Sequence, residues 1–196
     1  MDSRETILSS IRKHLAASPP DDQPKPVFPE SVVAPAAKSL VDLFKENVEA
    51  VNGHCIVTRD VSQAVTRIIT DLGARKIAVS DTPPSAEEIF EYDVGITGAQ
   101  AAIAETGTLV LDSAREKHRL ASLVPPVHIA IVDASSIFQT LAEALAFIHQ
   151  NGDISPAVTF ITGPSRTADI ELTLAIGVHG PQELYVIVNQ GPSLSH

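Results

Sequence analysis

Apolar residues recur along this chain in two alternating patterns, short continuous runs and helical repeats. The runs are rich in Val and Ile and are typical of buried β-strands, because a strand covered on both faces has no polar side. The repeats place apolar residues three or four positions apart, as one face of a helix requires. The patterns predict strands at 55–57, 77–79, 128–132, 158–162 and 184–188, and helices at 38–51, 61–72, 85–90, 135–149 and 168–176.

A further segment, residues 94–112, is predicted to form two strands around a turn at Glu105-Thr106-Gly107. Because strands alternate with helices, we expect an α/β fold with three layers, a mostly parallel sheet covered by helices on both faces. This domain is expected to span residues 38–190, with 191–196 as a tail.

The first 37 residues follow a different pattern. Ile7, Ile11 and Leu15 lie on one face of a predicted helix, and six prolines then fall between residues 18 and 37. Proline interrupts helices and central strands, so this stretch is predicted to be an extended tether. We therefore expect an N-terminal helical arm, which is compatible with a homo-oligomer.

The charge of the chain excludes some classes of partner. Fourteen Lys and Arg stand against twenty-four Asp and Glu, a formal net charge of −10. Nucleic acids and anionic membrane surfaces are bound through basic patches, so neither is expected as a partner. The charged start of the sequence does not resemble a signal peptide, and no apolar run reaches the roughly 20 residues of a membrane span. We expect a cytoplasmic protein.

Cys55 is the single cysteine, and it lies within an apolar run. A thiol in that setting is expected to be buried and unreactive. Iron–sulfur clusters normally require four cysteine ligands, and the sequence has no Cys-x-x-Cys zinc pattern. We therefore expect no metal site and no cofactor bound by this chain.

Residues 95–108 are rich in Gly, Ala and Thr, and small side chains allow a ligand or another backbone to approach closely. Glu105 lies at the predicted bend of this segment. Its carboxylate has two interpretations, a base or nucleophile in a partly desolvated site, or a solvated turn residue. The neighbouring candidates for contacts with a ligand are Thr97, Gly98, Thr106 and Gly107.

The segment Gly163–Glu171 follows a predicted strand and precedes a predicted helix. A helix N-terminus in that position presents free backbone N–H groups to an anion, and the guanidinium of Arg166 suits a carboxylate or phosphate. Ser165 and Thr167 are further candidates. The alternative is that Thr167 is a simple N-cap and that Arg166 pairs with Asp169 or Glu171. The segment lacks the Lys-Ser/Thr ending of a P-loop.

Two histidines and one arginine complete the set of candidates. His179, between two glycines, is expected near strand ends, where it orients a carboxylate or simply bonds to backbone. His128 begins a buried strand and is expected to be a core histidine with satisfied hydrogen bonds. Arg119 lies in the charged segment 115–122, which is either a flap, a docking loop or a solvated loop.

Taken together, these segments resemble the lactate-utilization protein C family of small LUD-domain proteins. The match covers residues 94–188, about half of the chain, in the family's order and spacing. The segments that carry it are Gly95–Ala99, Ala102–Leu111, Arg119, Ser122–Leu123, Pro125–Ile129, Gly163–Glu171 and Gly177–Pro181.

The resemblance implies a fold like that of the sugar-phosphate isomerase and CoA-transferase superfamily. It also implies a role in the bacterial oxidation of L-lactate to pyruvate beside iron–sulfur partner subunits. In that role this chain would lack a redox centre and would bind a small carboxylate, another anionic metabolite or a partner. By analogy with CoA-transferases, Glu105 before Gly107 is a candidate catalytic residue, and His179 is a second. The alternative hypothesis is an independent isomerase or transferase acting on a phosphorylated or CoA-thioester metabolite. Both hypotheses predict that Glu105, Arg166 and His179 face one cleft.

Overall fold

A computed structural model describes residues 3–17, 38–79, 84–85, 87–113, 115, 119–150, 157–167, 175–176 and 180–192. The chain divides into two units, Met1–Pro35 and Ala36–His196. The first contains helix α1 (Ser3–Ala17), which confirms the predicted N-terminal helix, and its Ile7 and Ile11 side chains are exposed. The tether predicted over 18–37 and the end of the tail, 193–196, lie outside the described residues.

The second unit contains three further α-helices and three short 3₁₀ helices among the described residues. Ser39 caps the first, since its side chain accepts a hydrogen bond from the Asp42 N–H, and Asp60 caps the second in the same way through Gln63. The α-helices are α2 (Leu40–Ala50), α3 (Val61–Leu72) and α4 (Leu141–Gln150), and the 3₁₀ helices span Glu88–Glu91, Arg119–Ser122 and Ala134–Ser136.

The strands of this unit fall at the predicted apolar runs and at several further places. In chain order they are β1 (His54–Thr58), β2 (Ile77–Val79), β3 (Val94–Gly98), β4 (Ala101–Ile103), β5 (Thr108–Asp112), β6 (Val127–Asp133), β7 (Ile137–Phe138), β8 (Val158–Ile161), β9 (Arg166–Thr167), β10 (Ala175–Ile176) and β11 (Glu183–Asn189).

Five strands form a parallel sheet in the order β1-β11-β6-β3-β2. A second sheet has the order β7-β4-β5-β8, in which β5 is antiparallel to both of its neighbours. Helix α3 covers one face of the parallel sheet through Ile68, and α2 and the second sheet share the other face through Phe44 and Leu109. Helix α4 packs on the second sheet through Ala144. The predicted three-layer α/β fold is confirmed, with the second sheet as an unpredicted part of one layer.

The prediction of two strands within 94–112 is correct for the second strand, β5, and wrong for the first, which corresponds to β3 and β4 together. That strand is divided in two because the chain passes from the first sheet to the second at Ala99 and Gln100. The Ala99 N–H donates to Ile131 O of the parallel sheet at 2.7 Å, and the Gln100 N–H donates to Val110 O of the second sheet at 3.0 Å.

Two predicted helices are corrected. The helix predicted over 135–149 begins only at Leu141, because Ile137–Phe138 pairs with the second sheet. The helix predicted over 168–176 does not include its last two residues, since Ala175–Ile176 pairs antiparallel with Arg166–Thr167. Thr167 is therefore a strand residue, in keeping with the strand preference of β-branched side chains, and its role as a helix N-cap stays a prediction. Residues 168–174 lie outside the described part of the chain.

No helix among the described residues is both long and apolar enough to cross a membrane.

Candidate functional site

The carboxyl end of α2 holds the turn that carries Glu105. The Asn47 side-chain amide donates a hydrogen bond to Ala104 O at 2.7 Å. Gly107 has a φ of +65°, and a Cβ at this position would lie 2.6 Å from the backbone N of Val48 and the backbone C of Asn47. Glycine is thus required twice, for its backbone angle and for the close approach of the turn to the helix.

The same helix end holds the second motif segment. Arg166 donates a hydrogen bond from Nη2 to the carbonyl oxygen of Val51, the C-cap of α2, at 2.8 Å. Helix α2 has no basic residue in its last turn, so Arg166 supplies the positive charge that favours a helix carboxyl end. Gly163, with a φ of +78°, packs against the same carbonyl, from which a Cβ would lie 2.8 Å.

A chain of three threonine hydroxyls connects the two segments. The Oγ1 atoms of Thr106 and Thr108 are 2.7 Å apart, and those of Thr108 and Thr162 are also 2.7 Å apart. Thr108 is buried, whereas Thr106 and Thr162 are exposed. The buried hydroxyl of Thr108 therefore connects Thr106, in the turn before β5, to Thr162, directly after β8.

The third segment contacts the second directly. The Ser165 N–H donates to Pro181 O at 2.8 Å, and a Cβ on Gly180 would lie 3.1 Å from the Cβ of Ser165. His179 lies outside the described residues, so its predicted place in a shared cleft stays a prediction. Of the three residues expected to share that cleft, Arg166 and the turn that carries Glu105 each contact the carboxyl end of α2, through Val51 and Asn47 respectively.

The Glu105 side chain is exposed. Its backbone is held by the second sheet, since the Ala104 N–H donates to Phe138 O at 2.7 Å and the Glu105 N–H donates to Gln139 O at 3.2 Å. A base or nucleophile of raised reactivity needs partial desolvation, which this position does not provide. The turn presents the carboxylate to the surface on a fixed backbone.

His128 is fully buried, and only one of its two ring nitrogens has a hydrogen-bond partner among the described residues. Its Nε2 lies 2.8 Å from Thr97 Oγ1, and its Nδ1 makes no hydrogen bond within the described part of the chain. Burial lowers the pKa of His128 to about 4, because the charged form loses its hydration in the core. The expectation of a core histidine is confirmed, and the expectation that both nitrogens are satisfied is wrong.

Arg119 begins the 3₁₀ helix Arg119–Ser122, which packs on β3. A Cβ on Gly95 would lie 1.8 Å from Ala121 O, so the helix backbone rests directly on the strand. The Arg119 side chain is exposed, while Gly98 at the end of β3 is half-buried. Of the segment predicted as a flap, docking loop or solvated loop, residues 119–122 are packed against the sheet.

Cys55 is 7% exposed, and burial raises the pKa of its thiol to about 11. The expectation of a buried cysteine is confirmed, and the raised pKa makes the thiolate scarce at neutral pH, in keeping with a thiol of low reactivity. Among the described residues, no group of three or more His, Cys, Asp or Glu side chains is placed to hold a metal ion.

Two cavities lie away from all of the predicted site residues. A groove of about 1080 Å³ runs between β1 and α3, and a polar cavity of about 420 Å³ lies at the carboxyl ends of β1, β11 and β6. The residues of the polar cavity were not predicted from the sequence, although Asp133 and Asn189 each directly follow a buried apolar run and Arg59 directly follows β1. Its principal polar residues are Arg59, Asp133, Ser135, Asn189 and Gln190.

Comparisons with known proteins agree with this fold, and the family match covers the motif segments that contact α2. A family model described as the LUD domain matches residues 74–188. Lactate utilization protein C of Geobacillus sp. (strain WCH70) is 44% identical over 170 residues, which cover 80% of this chain and 70% of the relative. Lactate utilization protein C of Bacillus subtilis (strain 168) is 33% identical over 171 residues, covering 76% of this chain and 69% of the relative.

Other similarities are shorter or more distant. Lactate utilization protein C of Bacillus licheniformis is 43% identical over 103 residues, which cover 50% of this chain but only 43% of that relative's length. A crystal structure of a DUF162 family protein from Deinococcus radiodurans aligns with a TM-score of 0.58 at 23% identity, covering 76% of this chain and 96% of the other. That alignment supports the fold alone.

Proposed function

This chain belongs to the LUD domain family, and we propose that it is a cytoplasmic subunit of a bacterial L-lactate utilization system, acting beside iron–sulfur partner subunits in the oxidation of L-lactate to pyruvate. The observation that carries the proposal is the 44% identity with lactate utilization protein C of Geobacillus over four fifths of the chain. The LUD-domain match over residues 74–188 includes both segments that contact the end of α2.

The redox chemistry is assigned to the partner subunits. The oxidation of lactate removes two electrons, and an iron–sulfur cluster that accepts them is normally held by four cysteines. This chain contains one cysteine, Cys55, whose buried thiol has a raised pKa. We therefore propose that the chain supports the reaction by binding a partner or a small carboxylate rather than by carrying electrons.

We assign partner binding to the motif face, defined as the exposed residues Glu105, Thr106, Thr162 and Arg166 beside the end of α2. Asn47 and Gly107 fix the position of the turn, and Arg166 is fixed by its bond to Val51. A surface that is rigid before binding loses little conformational entropy on association.

Two observations weigh against an independent isomerase or transferase. The Glu105 carboxylate is exposed rather than desolvated, and the Arg166 guanidinium already binds the carbonyl end of α2. We expect the purified chain to be colourless and to leave L-lactate unoxidised. Oxidation of L-lactate by the chain alone would contradict its assignment as a non-redox subunit.

A growth experiment tests the proposal. Deletion of the gene in the organism that carries it is expected to abolish growth on L-lactate while growth on pyruvate continues, because only the oxidation step is lost. Reintroduction of the natural sequence, or of a Glu87→Lys variant, is expected to restore growth. Glu87 is an exposed glutamate outside the motif face and serves as the matched control.

A Glu105→Lys variant is expected to fold with an unchanged melting temperature and to fail to restore growth, because the reversed charge lies on the motif face. Full restoration by this variant would refute the assignment of the motif face. Undiminished growth of the deletion strain on L-lactate would refute the proposed function itself.

A further inference from the structure

The polar cavity lies at the opposite end of the parallel sheet from the motif face. Helix α2 ends at Ala50 just before β1 begins at His54, so the motif face is near the amino ends of the strands. The cavity lies beyond the carboxyl ends of three neighbouring strands, β1, β11 and β6. Open parallel sheets bind their ligands outside the carboxyl ends of the strands.

A buried carboxylate and a buried amide form one wall of the cavity. Asp133 ends β6 and is 9% exposed, and Asn189 ends β11 and is 3% exposed. The two residues are in register, and Asn189 Nδ2 donates to Asp133 Oδ1 at 2.7 Å. Asp133 also directly precedes the 3₁₀ helix Ala134–Ser136.

Asn189 has a fixed orientation. Its Nδ2 also donates to Pro192 O at 2.9 Å, and its Oδ1 accepts from the Gly191 N–H at 2.8 Å. Both amide hydrogens and the amide oxygen are thus engaged, so the side chain holds the Asp133 carboxylate at the cavity wall. The geometry is set before any ligand binds, which lowers the entropic cost of binding.

A cation lies at the rim of the same cavity. Arg59 directly follows β1, and its side chain is exposed. The turn at 190–191 is anchored beside it, because the Gln190 N–H donates to Thr58 O at 2.8 Å and a Cβ on Gly191 would lie 2.9 Å from Arg59 O. A guanidinium binds a carboxylate through two parallel hydrogen bonds.

We propose that this cavity binds a short 2-hydroxycarboxylate. Arg59 binds the carboxylate of the ligand, and Asp133 accepts a hydrogen bond from the hydroxyl. One cation and one buried anion match a ligand with a single negative charge and a hydrogen-bond donor, whereas a phosphate dianion would be repelled by Asp133. A volume of about 420 Å³ accommodates a molecule of this size. The choice of a 2-hydroxy acid among such ligands rests on the proposed function.

Titrations of the purified full chain with candidate ligands test the site, with the backbone amide resonances of an NMR spectrum as the readout. L-Lactate is expected to shift the amides of Ser135 and Gln190, and propionate, which lacks the hydroxyl, is expected to bind about 10-fold more weakly or less. Inorganic phosphate at pH 8, where the dianion predominates, is expected to bind more weakly than lactate, because the dianion is repelled more strongly by Asp133. Equal affinity for lactate and propionate would overturn the role of Asp133, and lactate shifts confined to other regions would overturn the site.

Variants separate the contributions of the two charged residues. Arg59→Gln is expected to weaken lactate binding at least 10-fold, since a charge-assisted pair is lost. Arg67→Gln is the control, because Arg67 is an exposed arginine of α3 that pairs with Asp71 at 3.7 Å. Asp133→Asn keeps an acceptor for Asn189 and is expected to reduce the preference for lactate over propionate. Unchanged lactate binding in Arg59→Gln would overturn the proposal.

The growth experiment distinguishes this inference from the proposed function. Loss of growth in the deletion strain, combined with no lactate binding by the chain, would refute the cavity and leave the function standing. Lactate binding at the cavity, combined with undiminished growth of the deletion strain, would support the cavity and refute the function.

Discussion

Gly107→Ala is the substitution that most sharply tests the role of the turn at α2. The residue has a φ of +65°, and a left-handed backbone costs a residue with a side chain about 1–2 kcal/mol. The added Cβ would also lie 2.6 Å from backbone atoms of α2, and such overpacking costs about 1–3 kcal/mol. The expected loss of unfolding free energy is the sum, about 2–5 kcal/mol.

Gly73→Ala is the matched control. Gly73 has nearly the same backbone angle, a φ of +64°, but a Cβ there would meet no atom within 4 Å. Its expected cost is the backbone part alone, about 1–2 kcal/mol, or a fall in Tm of about 2–8 °C for a domain of this size. Urea and thermal unfolding of both variants measure the difference. Equal destabilisation would refute the conclusion that the turn is seated against α2.

Three further predictions concern single side chains. Arg166→Ala is expected to lower the unfolding free energy by about 0.5–1.5 kcal/mol through loss of its bond to Val51, with partial recovery in Arg166→Lys, and unchanged urea midpoints would contradict this. The pKa of His128 is about 4 in the folded protein and near 6.5 when unfolded, so stability is full above pH 6.5 and falls as the pH drops toward 4, by up to about 3 kcal/mol. An NMR titration that finds this ring protonating near pH 6.5 would refute the prediction. Cys55 is expected to react with thiol reagents at pH 8 at least about 100-fold more slowly in the folded protein than in urea. The reason is that burial raises the pKa of the thiol to about 11, which lowers the fraction present as thiolate. Equal rates in the two states would contradict the burial of Cys55.

The strands of the parallel sheet are predictable from the sequence because they are continuous apolar runs. The segments at 128–132 and 184–188 are found within β6 and β11, each extended by one residue at both ends. The division of the next apolar stretch into β3 and β4 is not predictable from periodicity, because it depends on which sheet accepts each backbone N–H. The change takes place at Ala99 and Gln100, which lie between the small residues Gly98 and Ala101.

The turn at Glu105-Thr106-Gly107 is predictable because glycine favours a left-handed backbone. Its contact with Asn47 is not, since that residue lies almost sixty positions earlier in the chain. The helix predicted after Arg166 shows the same limit, because the short strand there forms only by pairing with residues 175–176.

The residues of the polar cavity share a position in the sequence, at or near the ends of strands, from which the cavity was not predicted. Asp133 and Asn189 directly follow buried apolar runs, Arg59 directly follows the end of β1 at Thr58, and the carboxyl ends of parallel strands meet at one edge of a sheet. The sequence alone does not show that β1, β11 and β6 are neighbours. That order brings the three side chains to one cavity.

The most direct test of the proposed function is the rate of L-lactate oxidation in an extract of the deletion strain, followed by reduction of an electron-accepting dye. Addition of the purified chain is expected to restore lactate-dependent dye reduction, because the proposed function places the iron–sulfur partners in the extract with only this subunit missing. The chain with Glu105→Lys is expected to restore little of this rate. A full rate of lactate oxidation in the extract before any protein is added would contradict the account.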